Sequence, residues 1–434
     1  MEPSPSPAVA AETVPAPEEP GRLLNRNFAL LWAGQSVSQL GNQIFSLAVS
    51  FWVMEKTGSA SLMGLLMMAS TLPGVLLSPF GGTFADRHSR IRILIACDLI
   101  GGTGLLALTA VAFLAPGRVD LLMGLLFAVA VLLGVNSSFF MPAISACIPD
   151  LVPREKLAAA NSLTQFSVQA AVFIGQAAGG VLYRLIGAPL LFLADGVSFL
   201  VSAASSAFIR LPERTRERVP GKTARESLQE FLRETREGFR YVWAAKGLRS
   251  FLISVSMINL LIMPVVVLLP FYVRLYLGKD AAWFGFLMAA ISVGTVGGFV
   301  LAGALALRGR ARAVGILAAL ILLPAAFGTF GFLRSPAAAL AGAVLAGAAL
   351  GFINVQFATM AQSSTPPELR GRVMGLIGTM AGGLTPIGMA LGGFAGDLTH
   401  KNVPLVYAVC GGLAIAVVLL TTSRRDSREY LAHG

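Results

Sequence analysis

Residues 82–92 read Gly82-Thr83-Phe84-Ala85-Asp86-Arg87-His88-Ser89-Arg90-Ile91-Arg92, and this short polar break decides the fold. An apolar run of about 61–84 precedes it and another of about 92–115 follows. Each has the roughly 20 residues that a helix needs to cross a hydrocarbon core. Only a tight turn fits between them, and Gly82 eases it. The arginines of the break suit a loop on the cytosolic side of a membrane. Asp86 is not required by that rule. An acid at such a turn can face a helix N-terminus or an arginine of the other half of the chain.

Outward from this hairpin the pattern repeats. Further apolar runs lie at about 28–54, 119–141, 160–183 and 189–209, then at 250–276, 283–306, 313–333, 337–360, 373–396 and 403–422. With the first pair they make twelve. They are continuously apolar rather than alternating, which excludes a strand barrel. Pro73, Pro79, Pro264, Pro270, Pro324 and Pro386 fall inside runs and predict kinks rather than breaks, because neighbouring helices can satisfy the freed carbonyls. The composition agrees: 55% of the 434 residues are hydrophobic and 13% charged, against about 25% charged in a soluble domain. The sequence predicts an all-α polytopic membrane protein of twelve transmembrane helices.

Charge placement sets the topology. With twelve spans both termini share one side, and the breaks on that side hold 26 of the 33 lysines and arginines; the other side holds 7. This predicts cytosolic termini and a multi-pass protein of the plasma (inner) membrane. The net charge of +11 is topogenic on this reading and implies no nucleic acid. The predicted organisation is a disordered cytosolic tail (1–24), a first six-helix half (25–209), a cytosolic linker (210–249), a second half (250–422) and a cytosolic tail (423–434). The first 21 residues lack the basic and apolar regions of a signal peptide. In the linker, Leu228, Phe231, Leu232, Phe239 and Val242 share one helical face, so an amphipathic helix on the anionic leaflet is expected.

The halves echo each other at an offset of 213. Pro153 maps to Pro366, and Gly175, Gly179 and Gly180 map to Gly388, Gly392 and Gly393. Parallel six-helix repeats place a substrate site between the halves near the midplane.

The break at 82–92 resembles the signature of the major facilitator superfamily: a Gly, then Asp-Arg, then a basic cluster. Ser89 stands where the family usually has Gly, and Ile91 where a basic residue is usual. The resemblance implies two pseudo-symmetric six-helix halves and a cytosolic gate built from Gly82, Asp86, Arg87 and Arg90. The second-half loop, Gly303 to Arg312, has no acid. Gly175-Gln176-Ala177-Ala178-Gly179-Gly180 resembles the exporter motif of facilitator antiporters, with Gln176 in place of Pro; small residues there let helices five and eight approach closely. The start Asn25-Arg26-Asn27-Phe28, with Leu31-Trp32-Ala33-Gly34-Gln35, resembles the macrolide-efflux and siderophore-exporter branch. So do Thr57-Gly58-Ser59, Pro153 to Asn161, and Asp195 with Phe199. This resemblance implies proton-linked efflux.

Polar residues within the spans are the candidate substrate contacts. Gln35, Ser38, Gln39, Asn42, Gln43 and Ser46 form one stripe on the first span, which must face a cavity or another helix. Gln165 and Gln169 share a face of the fifth, with Ser256 and Asn259 on the seventh and Asn354 on the tenth. Uncharged amides beside Phe, Met and Trp suit an amphipathic organic molecule; interhelical hydrogen bonding is the competing explanation. Two acids, Asp195 and Asp98, lie within spans and are the proton-coupling candidates, with structural hydrogen bonding to a neighbouring helix the alternative for Asp195. Asp98 lies about two turns from Arg90 and Arg92, so pairing with the gate is the expected alternative for it. Cys97, Cys147 and Cys410, with His88, His400 and His433, show no metal-ligand spacing.

The sequence thus predicts a monomeric secondary transporter that exports a drug, siderophore or natural product by proton antiport, with partners limited to substrate, lipid and protons, and no cofactor. The alternatives are an importer of a metabolite or lipid, or a non-transporting sensor of the same fold. An enzyme is disfavoured because no His-Asp cluster or paired midplane carboxylates occur, and no phosphate-cradling loop supports ATP-driven pumping.

Overall fold

The computed structural model describes residues 23–209, 233, 236, 239–240, 242–244, 246–305, 307–363 and 370–423. The helices are α1 (Arg26–Thr57), α2 (Ala60–Arg87), α3 (Arg90–Leu114), α4 (Val119–Leu151), α5 (Leu157–Ala207), α6 (Lys246–Phe271), α7 (Ala281–Leu305), α8 (Gly309–Phe330), α9 (Pro336–Ser363), α10 (Arg370–Gly383), α11 (Thr385–Leu398) and α12 (Val403–Thr422). No strand occurs among the described residues.

Nine described helices are long and apolar enough to cross a membrane on their own. Three more crossings complete twelve. α5 has 51 residues and turns at Gly187, whose φ of 75° is a left-handed conformation that favours glycine, so it carries two spans. α1 is long enough at 32 residues, but its polar stripe lowers its hydropathy. The eleventh crossing is divided between α10 and α11, each of 14 residues.

That division corrects one expectation. The eleventh run is not a single kinked helix: α10 ends at Gly383, and α11 restarts with Pro386 in its first turn. Glycine is a poor helix former, and proline, lacking an N–H, is best placed where the donor has no helical partner. Another departure follows Pro270, where Tyr272–Tyr276 forms a π turn. The break between α1 and α2 is cap chemistry. α1 ends on Gly58 in the left-handed region, and Ser59 caps α2 by accepting from Leu62 N–H.

Within the first half α1 and α3 pack on α5, and α2 and α3 on α4. Within the second, α6 packs on α11 and α12, α7 and α8 on α9, and α8 on α12. The halves meet where α5 lies on α7 and α2 on α11. Phe80, Phe113, Phe166, Phe208, Leu398 and Leu420 are exposed around the bundle. Apolar surface on this scale needs lipid against it. We call the end where α1 begins and α12 finishes the terminal end, and the opposite end the far end.

Of the proposed linker face, Leu228, Phe231 and Leu232 lie outside the described residues. Val242 is buried with Leu248, Leu252, Ala361 and Ile377 of the second half, while Phe239 and Trp243 are exposed and stack on each other. The linker's last turn is thus anchored in protein.

Candidate functional site: a polar cavity along α1 and the seams between the halves

The stripe on α1 does two jobs. Its buried edge is tied to neighbouring helices. Gln35 donates from Nε2 to Ser202 Oγ at 2.9 Å, and Gln176 donates from Nε2 to Gln43 Oε1 at 3.0 Å. The stripe also borders internal space. Gln35, Ser38, Gln39 and Asn42 line a cavity of about 190 Å³, closed by Asp98, Asn136, Phe140 and Phe199 among others. Asn42 also borders a second cavity of about 180 Å³ with Ser46, Met63 and Ser70. The arrangement is an apolar chamber with a few placed amides and hydroxyls.

Asp98 is 1% exposed and accepts from Ser202 Oγ at 2.7 Å. Ser202 therefore links Gln35 to the carboxylate: it accepts from one and donates to the other. Asp98 does not pair with the arginines two turns away. Arg90 instead donates to Ala146 O and pairs with Asp150 on α4. The helical distance from Arg90 to Asp98 was the right length, but the side chains leave α3 in different directions. Asp195 is fully buried against Gly41 of α1 and accepts from Ser198 Oγ at 3.2 Å. Its second oxygen has no partner among the described residues.

The remaining candidates scatter. Ser256 donates to Met380 O at 3.0 Å and Asn259 to Ala381 O at 2.9 Å, so both hold α10 against α6. Gln165 is exposed and Gln169 half-buried, and neither lines these two cavities. Asn354 is exposed; its neighbour Gln356 is buried and accepts from Arg312 Nε at 3.0 Å. In the gate sequence Gly82 has open space beside it, Arg87 is exposed, and the Asp86 side chain lies outside the described residues. Among the described residues no group of three His, Cys, Asp or Glu gathers as metal ligands would.

Sequence reading missed Ser202 and Ser198, although their spacing of four puts both on one face of the sixth span. It also missed Asn136, which donates to Cys97 O at 2.9 Å across the cavity wall.

Two seams close the far end. In one, Gly180 of α5 lies against Ala281 and Ala282 of α7, and Gly285 of α7 against Gln176. In the other, Gly393 of α11 lies against Ala60 and Ser61 of α2, and Gly64 of α2 against Met389. A Cβ at any of these glycines would strike backbone. The small-residue motif is thus shared between jobs: Gly175 and Gly179 pack on α1 within their own half, and Gly180 crosses to α7.

Two helical halves that meet along long seams, with apolar cavities in the first half, rather than between the halves, lined by a few amides, hydroxyls and a buried carboxylate, fit the class of solute transporters rather than enzymes. The chain belongs to the Major Facilitator Superfamily, whose family profile matches residues 31–388. It is 27% identical to macrolide efflux protein A of Streptococcus pyogenes over 93% of this chain and 96% of that protein. It is 28% identical to the multidrug efflux pump Tap of Mycolicibacterium fortuitum, again over 93% and 96%. Among solved structures, a bacterial homologue of the iron transporter ferroportin in its inward-facing state superposes with a TM-score of 0.71 at 18% identity, covering 92% of this chain and 100% of that one.

Proposed function

We propose that this transporter exports a small amphipathic organic molecule, a drug, siderophore or natural product, by proton antiport with alternating access. The observation that carries the reading is the wall of the cavity between α1 and Asp98, where amides, aromatic rings and a buried carboxylate converge. Such a chamber offers apolar area with a few oriented polar groups. Efflux is also what the macrolide and multidrug relatives are named for.

Asp98 is the coupling group on this reading. An intramembrane carboxyl is costly to keep charged unless paired. The hydrogen-bond partner of Asp98 is a hydroxyl, which serves the acid and the carboxylate alike, and the side chain stands on the cavity wall. Proton and substrate then compete for one chamber, which is the chemistry antiport needs. Asp195, behind α1 at Gly41, is the second candidate.

The basic asymmetry supports placing the terminal end in the cytosol, with the chain in the inner membrane. The conformation closed at the far end is then the one shut towards the outside. In the opposite state Gly82, Asp86, Arg87 and Arg90 would close the cytosolic side. The direct test is compound accumulation in cells with and without the gene, over a panel including macrolides and siderophores. Lower accumulation of at least one compound in expressing cells supports export. Uniformly unchanged accumulation, or uptake of a solute, contradicts it.

A further inference from the structure

The internal repeat extends into two contacts that the account of the cavity does not use. The offset of 213 that carries Gly180 onto Gly393 also carries Arg184 onto Asp397, each four residues further along. An offset of 221 carries Ala60, the first residue of α2, onto Ala281, the first of α7, and Ser59 onto Asp280. These are the residues that meet. Arg184 Nη1 pairs with Asp280 Oδ2 at 3.1 Å. Asp397 meets Ser59 and the two residues after it. The same two positions therefore touch in both seams, with different chemistry.

Asp397 has the richer set of bonds. Its Oδ1 accepts from Ala60 N at 3.0 Å, and its Oδ2 from Ser61 N at 2.9 Å and Ser59 Oγ at 2.8 Å. Ser59 Oγ in turn accepts from Leu62 N at 3.2 Å. The first N–H groups of a helix have no partner inside it. Here three successive donors of α2 are satisfied, two of them by a carboxylate from the other half of the molecule. That carboxylate also faces the positive end of the α2 dipole.

We propose that Asp397 is the latch of the far end: a capping carboxylate supplied by one half to a helix of the other, made in the conformation described and broken when the halves part there. Arg184 with Asp280 is its weaker counterpart. The ranking follows from exposure. The Arg184 side chain is 66% exposed, and an ion pair that open to water contributes little. Hydrogen bonds to a charged acceptor are stronger than neutral ones. Asp397 thus biases the equilibrium between far-end-closed and far-end-open states, whichever solute is carried and whichever face of the membrane the far end meets.

The test uses purified full-length protein in detergent, with Cys97, Cys147 and Cys410 replaced by Ala. Spin labels go on Gly117→Cys, before α4, and Ser335→Cys, before α9; both positions are exposed, at the far end, and in different halves. Pulsed dipolar spectroscopy then reads the distance distribution. The parent should be mainly short. Asp397→Ala should raise the long-distance fraction relative to the short by about tenfold. Asp397→Asn, which keeps one acceptor, should give a smaller shift and remains informative if the Ala variant does not fold. Arg184→Gln should change the ratio less than about threefold. A distribution unchanged in both Asp397 variants overturns the latch, and an Arg184→Gln effect as large as that of Asp397→Ala overturns the ranking. The measurement needs no substrate or proton gradient, so a failure of the export reading leaves it standing.

Discussion

At the residue scale the informative signal is a polar group where lipid forbids one. Gln35, Asn42 and Asp98 stood out in the sequence because each interrupts an apolar run, and all three line the same cavity. What the sequence did not give was their partners. Arg90 finds Asp150 sixty residues away along the chain, and Asp98 finds Ser202 more than a hundred away; helical spacing carries no information about such pairs. Ser256 and Asn259 look identical to the cavity residues in sequence, yet their hydrogen bonds hold a backbone. The linkage through Ser202 makes a prediction. Ser202→Ala would leave Gln35 and Asp98 without their shared partner, at about 1–3 kcal/mol for each orphaned buried group. We expect a lower Tm for purified Ser202→Ala and weaker pH dependence of transport, with smaller effects on both for Ser205→Ala, whose hydroxyl reaches a backbone carbonyl on α1.

At the element scale, length and apolar content were legible, and the interruptions less so. The turn at Gly187 and the caps at Gly58 and Ser59 follow from local chemistry that the sequence displays. The split of the eleventh crossing into α10 and α11 was also written there, as adjacent glycines before Pro386, but the apolar run masked it. The glycine motif on α5 could be seen and its division of labour could not, because only the packed structure tells which glycine faces which helix. Gly180 faces the backbone of α7. Gly180→Leu should therefore keep the α5–α7 seam from closing, at about 1–3 kcal/mol of overpacking. The expected result is a protein that inserts normally but transports poorly, with the far-end distance lengthened. Gly124→Leu, at a position with open space, should leave both unchanged.

At the scale of the whole molecule, the two halves and their number of helices were legible because the repeat and the charge asymmetry are global properties that single-residue errors do not erase. The 26-to-7 distribution of basic residues predicts cytosolic termini. Reporter fusions at Gly434 and within Arg214 to Lys222 should both read cytosolic, and a periplasmic signal at either would break the twelve-span topology. The conformation itself was not legible. A helix pattern does not tell which end of a bundle is closed, and only the packed structure shows the far end closed by its paired seams. The central claim, export driven by protons through Asp98, has one direct test. Purified protein is reconstituted into vesicles, and movement of a compound identified by the cell assay is followed under an imposed pH gradient. The account predicts gradient-driven transport by the wild type, and in Asp98→Asn a loss of that drive with substrate binding retained. Wild-type transport indifferent to the gradient, or Asp98→Asn responding to it as the wild type does, would contradict the claim.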